Sequence, residues 1–232
     1  MSNLPEMDSE NPRTFLGELK QQRWDDHRYY HHSRINQSLH LLSAFSFLTA
    51  YALLTVSPSI SALVGWLVAM WSRQIGHFFF EPKNFDTVNQ ASHEHKEEIK
   101  VGYNLKRKIV LLTIWALSPL ILYLNPSLFG LLEPHGNARG FVEDLAMLWL
   151  ALGLAGLLFR TIQLFFVRDP LTGLAWCTKI LTDPFHDVKL YHRSPFFLLR
   201  GQLIDPMTRV VSELEDDPDA PGSAEHELKP AV

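Results

Sequence analysis

Asn36 to Val56 reads NQSLHLLSAFSFLTAYALLTV, and Ser61 to Phe80 reads SALVGWLVAMWSRQIGHFFF, with only a short turn around Pro58 between them. Each run matches the roughly 20 apolar residues that carry a helix across about 30 Å of hydrocarbon. Two more follow: Ile109 to Leu124 (IVLLTIWALSPLILYL) and Leu145 to Val167, the last with Arg160 as its one charge. One such run alone also describes a buried helix of a soluble protein. Four together predict an all-α, polytopic membrane protein with four transmembrane helices, the first two forming a tight hairpin.

The chain average conceals this pattern, since mean hydropathy is −0.02 and 20% of residues are charged. Polar segments dilute the apolar runs and divide the chain into an N-terminal arm (1–35), a transmembrane domain (36–167) with a polar loop at 81–108, an interfacial segment (168–211) and a tail (212–232). The tail contains ELEDDPDAPGSAEHE, holds much of the excess behind the net charge of −4, and is expected to be disordered because it has almost nothing apolar to bury. The first 35 residues lack the apolar core of a signal peptide, so the first membrane helix is expected to act as its own insertion signal. The single cysteine, Cys177, excludes an intramolecular disulfide framework and a cysteine-based zinc site. There is no Gly-rich phosphate loop, and no basic, aromatic-interleaved stripe points to nucleic acid.

Lys and Arg cluster in the arm (Arg13, Lys20, Arg23, Arg28, Arg34), the central loop (Lys83, Lys96, Lys100, Lys106, Arg107) and the segment after the fourth run (Arg168, Lys179, Lys189, Arg193, Arg200). The two remaining loops hold only Arg139. Positive loops stay in the cytoplasm, so both termini and the central loop are expected there. Ten of the eleven histidines fall on the same side, with His135 alone opposite. Residues 169–206 interleave Trp176, Phe185, Phe196, Phe197, Leu198 and Leu199 with basic residues; they fit either a segment lying in the headgroup region or a cap packed on the loops.

His40 and His77 sit at the cytoplasmic ends of the two hairpin helices, so their ends are neighbours. Ionisable groups at membrane depth are costly and point to function. Glu81 follows His77 by four residues and shares its face if the helix runs through the phenylalanines, as a metal ligand or as the acceptor of the other ring N–H. His31 lies nine residues before His40, half a turn out of phase on an unbroken helix. A break at Ser33-Arg34-Ile35-Asn36, with Asn36 as helix cap, would fold His31 over His40. His93 and His95 converge only on an extended strand and diverge on a helix. His186 and His192 are weaker ligand candidates.

Two motifs resemble the fungal 2-hydroxy fatty acid dioxygenase family of fatty acid α-oxidation and its bacterial relatives. In YHHSRINQSLH (Tyr30 to His40), His31, Asn36 and His40 are similar to the family's arm motif; in QIGHFFFE (Gln74 to Glu81), Gly76, His77, Phe80 and Glu81 are similar to its second motif. The resemblance implies an Fe(II) oxygenase that uses O2 without 2-oxoglutarate and removes one carbon from a 2-hydroxy fatty acid. Its implied site is His31, His40, His77 and Glu81, with the acyl chain among the apolar helices and the acid head beside Arg34, Arg73 or Lys83. Two rivals differ from it. A di-iron lipid hydroxylase or desaturase would start from His27-x-x-x-His31-His32 but needs more paired histidines, and a non-enzymatic membrane scaffold would leave the histidines incidental.

Overall fold

The computed structural model describes residues 13–81, 83–86 and 91–206. Its regular elements are all helices: α1 Phe15–Tyr30, α2 Arg34–Leu53, α3 from Pro58 to Phe80, α4 His93–Ile99, α5 Leu105–Leu124, α6 Ala138–Val167, α7 Pro170–Tyr191 and α8 Ser194–Leu199. The expected tail, 212–232, lies outside the described residues.

The break between α1 and α2 falls just before the expected place. Thr14 caps α1 by accepting from Gly17 N, and Ser33 caps α2 by accepting from Asn36 N. Asn36 is therefore not the cap. It lies inside the first turn, fully buried, where its side-chain amide donates to the Tyr30 carbonyl (2.9 Å) and clasps the end of α1 to the start of α2. A strand-like clasp holds the same corner from the C-terminal side: Arg34 N donates to Leu203 O and Asp205 N to His32 O, both at 2.8 Å. These bonds satisfy the groups left open where the helix is interrupted.

The hairpin of α2 and α3 turns at Leu54–Ser57, and Pro58 starts α3 at a first-turn position where its missing N–H costs nothing. Small residues let the two helices approach: Ala50, Ala62 and Ala69 are buried between elements, and Ser61 Oγ donates to the Ala50 carbonyl (2.7 Å). α3 is continuous but not uniform, since Val64–Met70 and Gly76–Phe80 are π-helical. Such widened turns shift the phase of the side chains that follow them. The second π turn carries His77.

Two described helices, Lys106–Leu124 within α5 and Ala138–Val167 (α6), are long and apolar enough to cross a membrane. Only 11% and 28% of their apolar windows are buried by the rest of the chain. A soluble protein seldom leaves that much contiguous apolar surface open, so contact with lipid accounts for it better than contact with water. At one end the helices meet in a cluster of Trp66, Trp115 and Trp149, locked by bonds from Trp149 Nε1 to Ser118 Oγ and from Trp66 Nε1 to the Trp149 carbonyl, both 2.8 Å. Arg160, the one charge of the fourth run, is buried, and its guanidinium holds the carbonyls of Val101 and Gly102.

The segment after the fourth run contains a 22-residue helix, α7, packed against α1, α2 and α6. Asp169 caps it and Pro170 begins it. One face is buried and polar (Lys179, Asp183, Asp187, with Tyr191 at its end), while Leu174, Leu181 and Phe185 are exposed on another. α7 thus closes over α1 and the histidine-bearing end of α2, and α8 packs on α2 beside it.

Candidate metal centre

His31 ends α1, His40 lies in the second turn of α2, and His77 lies in the terminal π turn of α3. Their ring centroids are 4.1 Å (His31–His40), 4.9 Å (His40–His77) and 5.4 Å (His31–His77) apart. One nitrogen from each can be chosen so that all three lie within 4.8 Å of one another. No other group of three or more potential ligands meets that condition among the described residues.

Two of the three nitrogens turned away from the centre, on His77 and His31, have hydrogen-bond partners. His77 Nδ1 bonds Glu81 Oε2 at 2.8 Å, so the ring donates from Nδ1 and turns Nε2 inward. His31 Nδ1 bonds the Tyr191 hydroxyl at 3.0 Å, leaving His31 Nε2 buried without a partner. Both ring nitrogens of His40 are likewise buried and unpartnered. Leaving so many buried polar atoms unsatisfied would cost about 1–3 kcal/mol each. A shared cation would take up His31 Nε2 and one nitrogen of His40 together, so the residues fit a bound metal.

Electrostatics agree. Burial, helped by the neighbouring His40, pulls His31 well below the ordinary histidine value, and burial brings His27 down to about 4. Both are neutral near pH 7, and the neutral imidazole is the ligating form. Three nitrogen donors with positions left open suit a divalent transition metal that must also accept a substrate.

α7 supplies a second layer that no spacing in the sequence announces. The Tyr191 hydroxyl sits between His31 Nδ1 and His27 Nδ1 (2.8 Å) and stays protonated because burial pushes its phenol well up. It accepts from His31 Nδ1–H and donates to His27, which fixes the tautomers of both rings. Asp187 lies 3.7 Å from His40 Nδ1 and is ion-paired with Arg73. Lys179 bridges Asp26 and Asp183 at 2.9 Å each, tying α7 to α1.

Gly76 shows how closely α2 and α3 meet. A Cβ there would overlap the Asn36 amide oxygen and approach His40 Cδ2 to 3.5 Å. Glycine at that position is what lets α3 bring His77 against His40.

The other sequence candidates fall elsewhere. Because α4 is a helix, His93 and His95 diverge: His93 is half-buried and lines a cavity beside His77, while His95 is exposed. Neither joins the three-histidine group. Arg34 pairs with Asp205 (2.9 Å), bonds Gln37 and Ser194, and stacks on Phe197, so it holds the α1–α2 corner. Arg73 is committed to Asp187 and Asp183. Of the three cations expected near a substrate head, only Lys83 lines the cavity beside His77, a space of about 60 Å³ that also reaches Lys100 and Lys108. His186 lines a smaller cavity next to Asp183 and Asp187, and His192 Nδ1 lies 2.9 Å from the Lys189 carbonyl. Glu81 has left the helix for extended backbone, yet it still reaches His77.

Residues 19–92 match a family model described as Mpo1-like, 2-hydroxy-palmitic acid dioxygenase Mpo1-like. This is the family that the two motifs resemble, and the match takes in most of α1, all of α2 and α3, and with them all three histidines and Glu81. α4 to α8 lie beyond the matched residues. No curated protein and no solved structure matches the chain.

Proposed function

We propose that this chain is a membrane-embedded, mononuclear Fe(II) oxygenase that shortens 2-hydroxy fatty acids by one carbon. The observation that carries this reading is the convergence of His31, His40 and His77, one nitrogen of each within 4.8 Å of the others, with buried ring nitrogens of His31 and His40 that have no hydrogen-bond partner, inside the region matched by a 2-hydroxy-palmitic acid dioxygenase family. His31, His40 and His77 hold the metal. Glu81 orients His77, and Tyr191 orients His31.

The overall reaction breaks the C1–C2 bond of the 2-hydroxy acid. One O2 yields the acid one carbon shorter, CO2 and water. The substrate supplies all four electrons that O2 takes up, so neither 2-oxoglutarate nor an external reductant is required. Iron, when bound, supplies the redox centre at which the hydroxy acid and O2 meet. The protein keeps the His31 imidazole neutral and fixes which nitrogen of His31 and His77 faces the centre through Tyr191 and Glu81. A three-nitrogen site also leaves room for the two oxygens of a 2-hydroxycarboxylate chelate.

In this reading α2, α3, α5 and α6 are four membrane spans with both termini cytoplasmic, which the Lys and Arg asymmetry supports. The exposed apolar residues of the hairpin, among them Leu42, Phe45, Leu67 and Val68, then face lipid. The acyl chain approaches along these helices, and its head meets the metal at their cytoplasmic ends. A single group of three histidines among the described residues favours one iron over the two needed by a di-iron hydroxylase.

The test incubates purified, iron-loaded protein in detergent with O2 and matched 2-hydroxy and plain long-chain acids, following products by mass. The 2-hydroxy acid should lose one carbon while the plain acid reacts poorly, lacking one chelating oxygen. Bound iron with neither acid shortened would overturn the assignment.

A further inference from the structure

We propose that the cavity beside His77 is a carboxylate-binding site, in which Lys108 and Lys100 hold the acid head of an amphiphile next to the histidine centre. The inference rests on the oxygenase reading and specifies how its substrate is held. The cavity is bounded by the end of α3, the loop after it, α4 and the first turn of α5. His77, Glu81, Lys83, His93, Lys100 and Lys108 line it.

The charges around it are unevenly committed. Glu81 is bonded to His77, and Lys100 lies 3.6 Å from Glu81 and 3.2 Å from Glu97 while resting 3.7 Å from the Tyr30 ring centroid. Lys108 is half-buried and makes no ion pair within 4.0 Å among the described residues. Three ammonium groups thus face two carboxylates, both of which already have partners. A partly desolvated ammonium without a counter-ion is costly, and an anionic ligand relieves that cost.

Size and direction narrow the ligand. The volume of about 60 Å³ corresponds to roughly four to six waters at about 10–15 Å³ each. The head of a 2-hydroxy acid, two carbons and three oxygens, is of that size, whereas a phosphodiester with its glycerol is larger. Lys108 is followed on α5 by exposed Ile109 and Val110, which give an alkyl chain an apolar path away from the head. The head would therefore lie between Lys108 and His77, with the chain leaving along α5.

The experiment measures equilibrium binding to the purified full chain in detergent by titration calorimetry. The probes are a long-chain 2-hydroxy acid, the matching 1,2-diol and a lysophosphatidic acid of equal chain length, applied to wild type, Lys108→Met and Lys108→Arg. Losing a charge-assisted hydrogen bond should weaken acid binding in Lys108→Met by about ten- to a hundredfold. The diol should be unaffected and Lys108→Arg should restore most of the loss. With turnover measured in parallel, KM for the acid should rise more than kcat falls. Unchanged acid affinity in a folded, iron-retaining Lys108→Met variant overturns the proposal even if wild-type turnover is found. Lysophosphatidic acid binding as tightly as the hydroxy acid also overturns it, marking a general anionic-lipid site. Lys108-dependent acid binding without any turnover leaves this site standing and removes the oxygenase reading instead.

Discussion

Replacing Tyr191 by Phe deletes one oxygen atom and leaves the ring in place, so it isolates the contribution of α7 to the metal centre. In the wild type that oxygen serves His27 Nδ1 at 2.8 Å and His31 Nδ1 at 3.0 Å, in a residue only 2% exposed. Without it, two buried imidazole nitrogens lose their partner, each at about 1–3 kcal/mol, or about 2–6 kcal/mol together. His31 can recover part of this by rotating toward another acceptor. Rotation turns its Nε2 away from His40 and spreads the three-nitrogen set. Loss of a group that orients a metal ligand typically lowers metal affinity about 10–100-fold. The assay equilibrates iron-loaded protein against graded concentrations of a competing chelator and measures retained iron, alongside thermal unfolding of the metal-free form. Tyr103→Phe is the control, because Tyr103 donates to the Gly156 carbonyl (2.7 Å) away from the histidines. It should destabilise the fold without moving the chelator midpoint, whereas Tyr191→Phe should move it by one to two decades. A Tyr191→Phe protein that holds iron like the wild type would refute the claim that the hydroxyl orients His31.

Gly76→Ala should strip the centre of iron, since the added methyl meets the Asn36 amide; overpacking of this kind costs about 1–3 kcal/mol, offset by roughly 1 kcal/mol of helix propensity. Adding Asn36→Ala should recover part of the iron, and strictly additive losses in the double variant would argue against the clash. Lys179→Met should cost at most about 3–5 kcal/mol near neutral pH, as it removes the counter-ion of the Asp26 carboxylate and leaves Asp183 only the longer contacts to Arg23 and Arg73. Although burial opposes it, Lys179 holds Asp26 below the usual carboxylate range, and Asp183 with Asp26 raises Lys179 despite its own burial. The depressed Asp26 contributes fully above about pH 4 and the raised Lys179 fully below about pH 10, so the difference between the two proteins should be flat from about pH 5 to 9 and narrow toward pH 3. Chemical denaturation across that range is the check, and a gap that widens in acid would contradict the pairing. Reporter fusions after Val56 and near Gly136 should read outside and those near Asn89 inside; an outside signal at Asn89 would break the four-span topology and scatter the histidine face.

Much of the centre is legible along the chain because it is built from local units. Hydrophobic run length marks the helices, and the hairpin is short enough that the ends carrying His40 and His77 must meet. A helix break between His31 and His40 follows from their phase difference, and the four-residue spacing from His77 to Glu81 anticipates a contact that survives even though Glu81 leaves the helix. Local patterning misassigned Asn36, since a polar residue at a helix start looks the same whether it caps the turn or reaches across to another helix. It could not choose between strand and helix for His93 and His95, and the helix separates them. The resemblance offered Arg34 and Arg73 as places for a substrate head, whereas their counter-ions Asp205, Asp183 and Asp187 stand more than a hundred residues away. For the same reason Tyr191, Lys100 and Lys108 carry no sequence signal. Their roles depend on α7 and the loop before α5 packing against the first three helices, and proximity between segments so distant in the chain comes from burial and charge pairing in the folded protein, which no periodicity or spacing encodes.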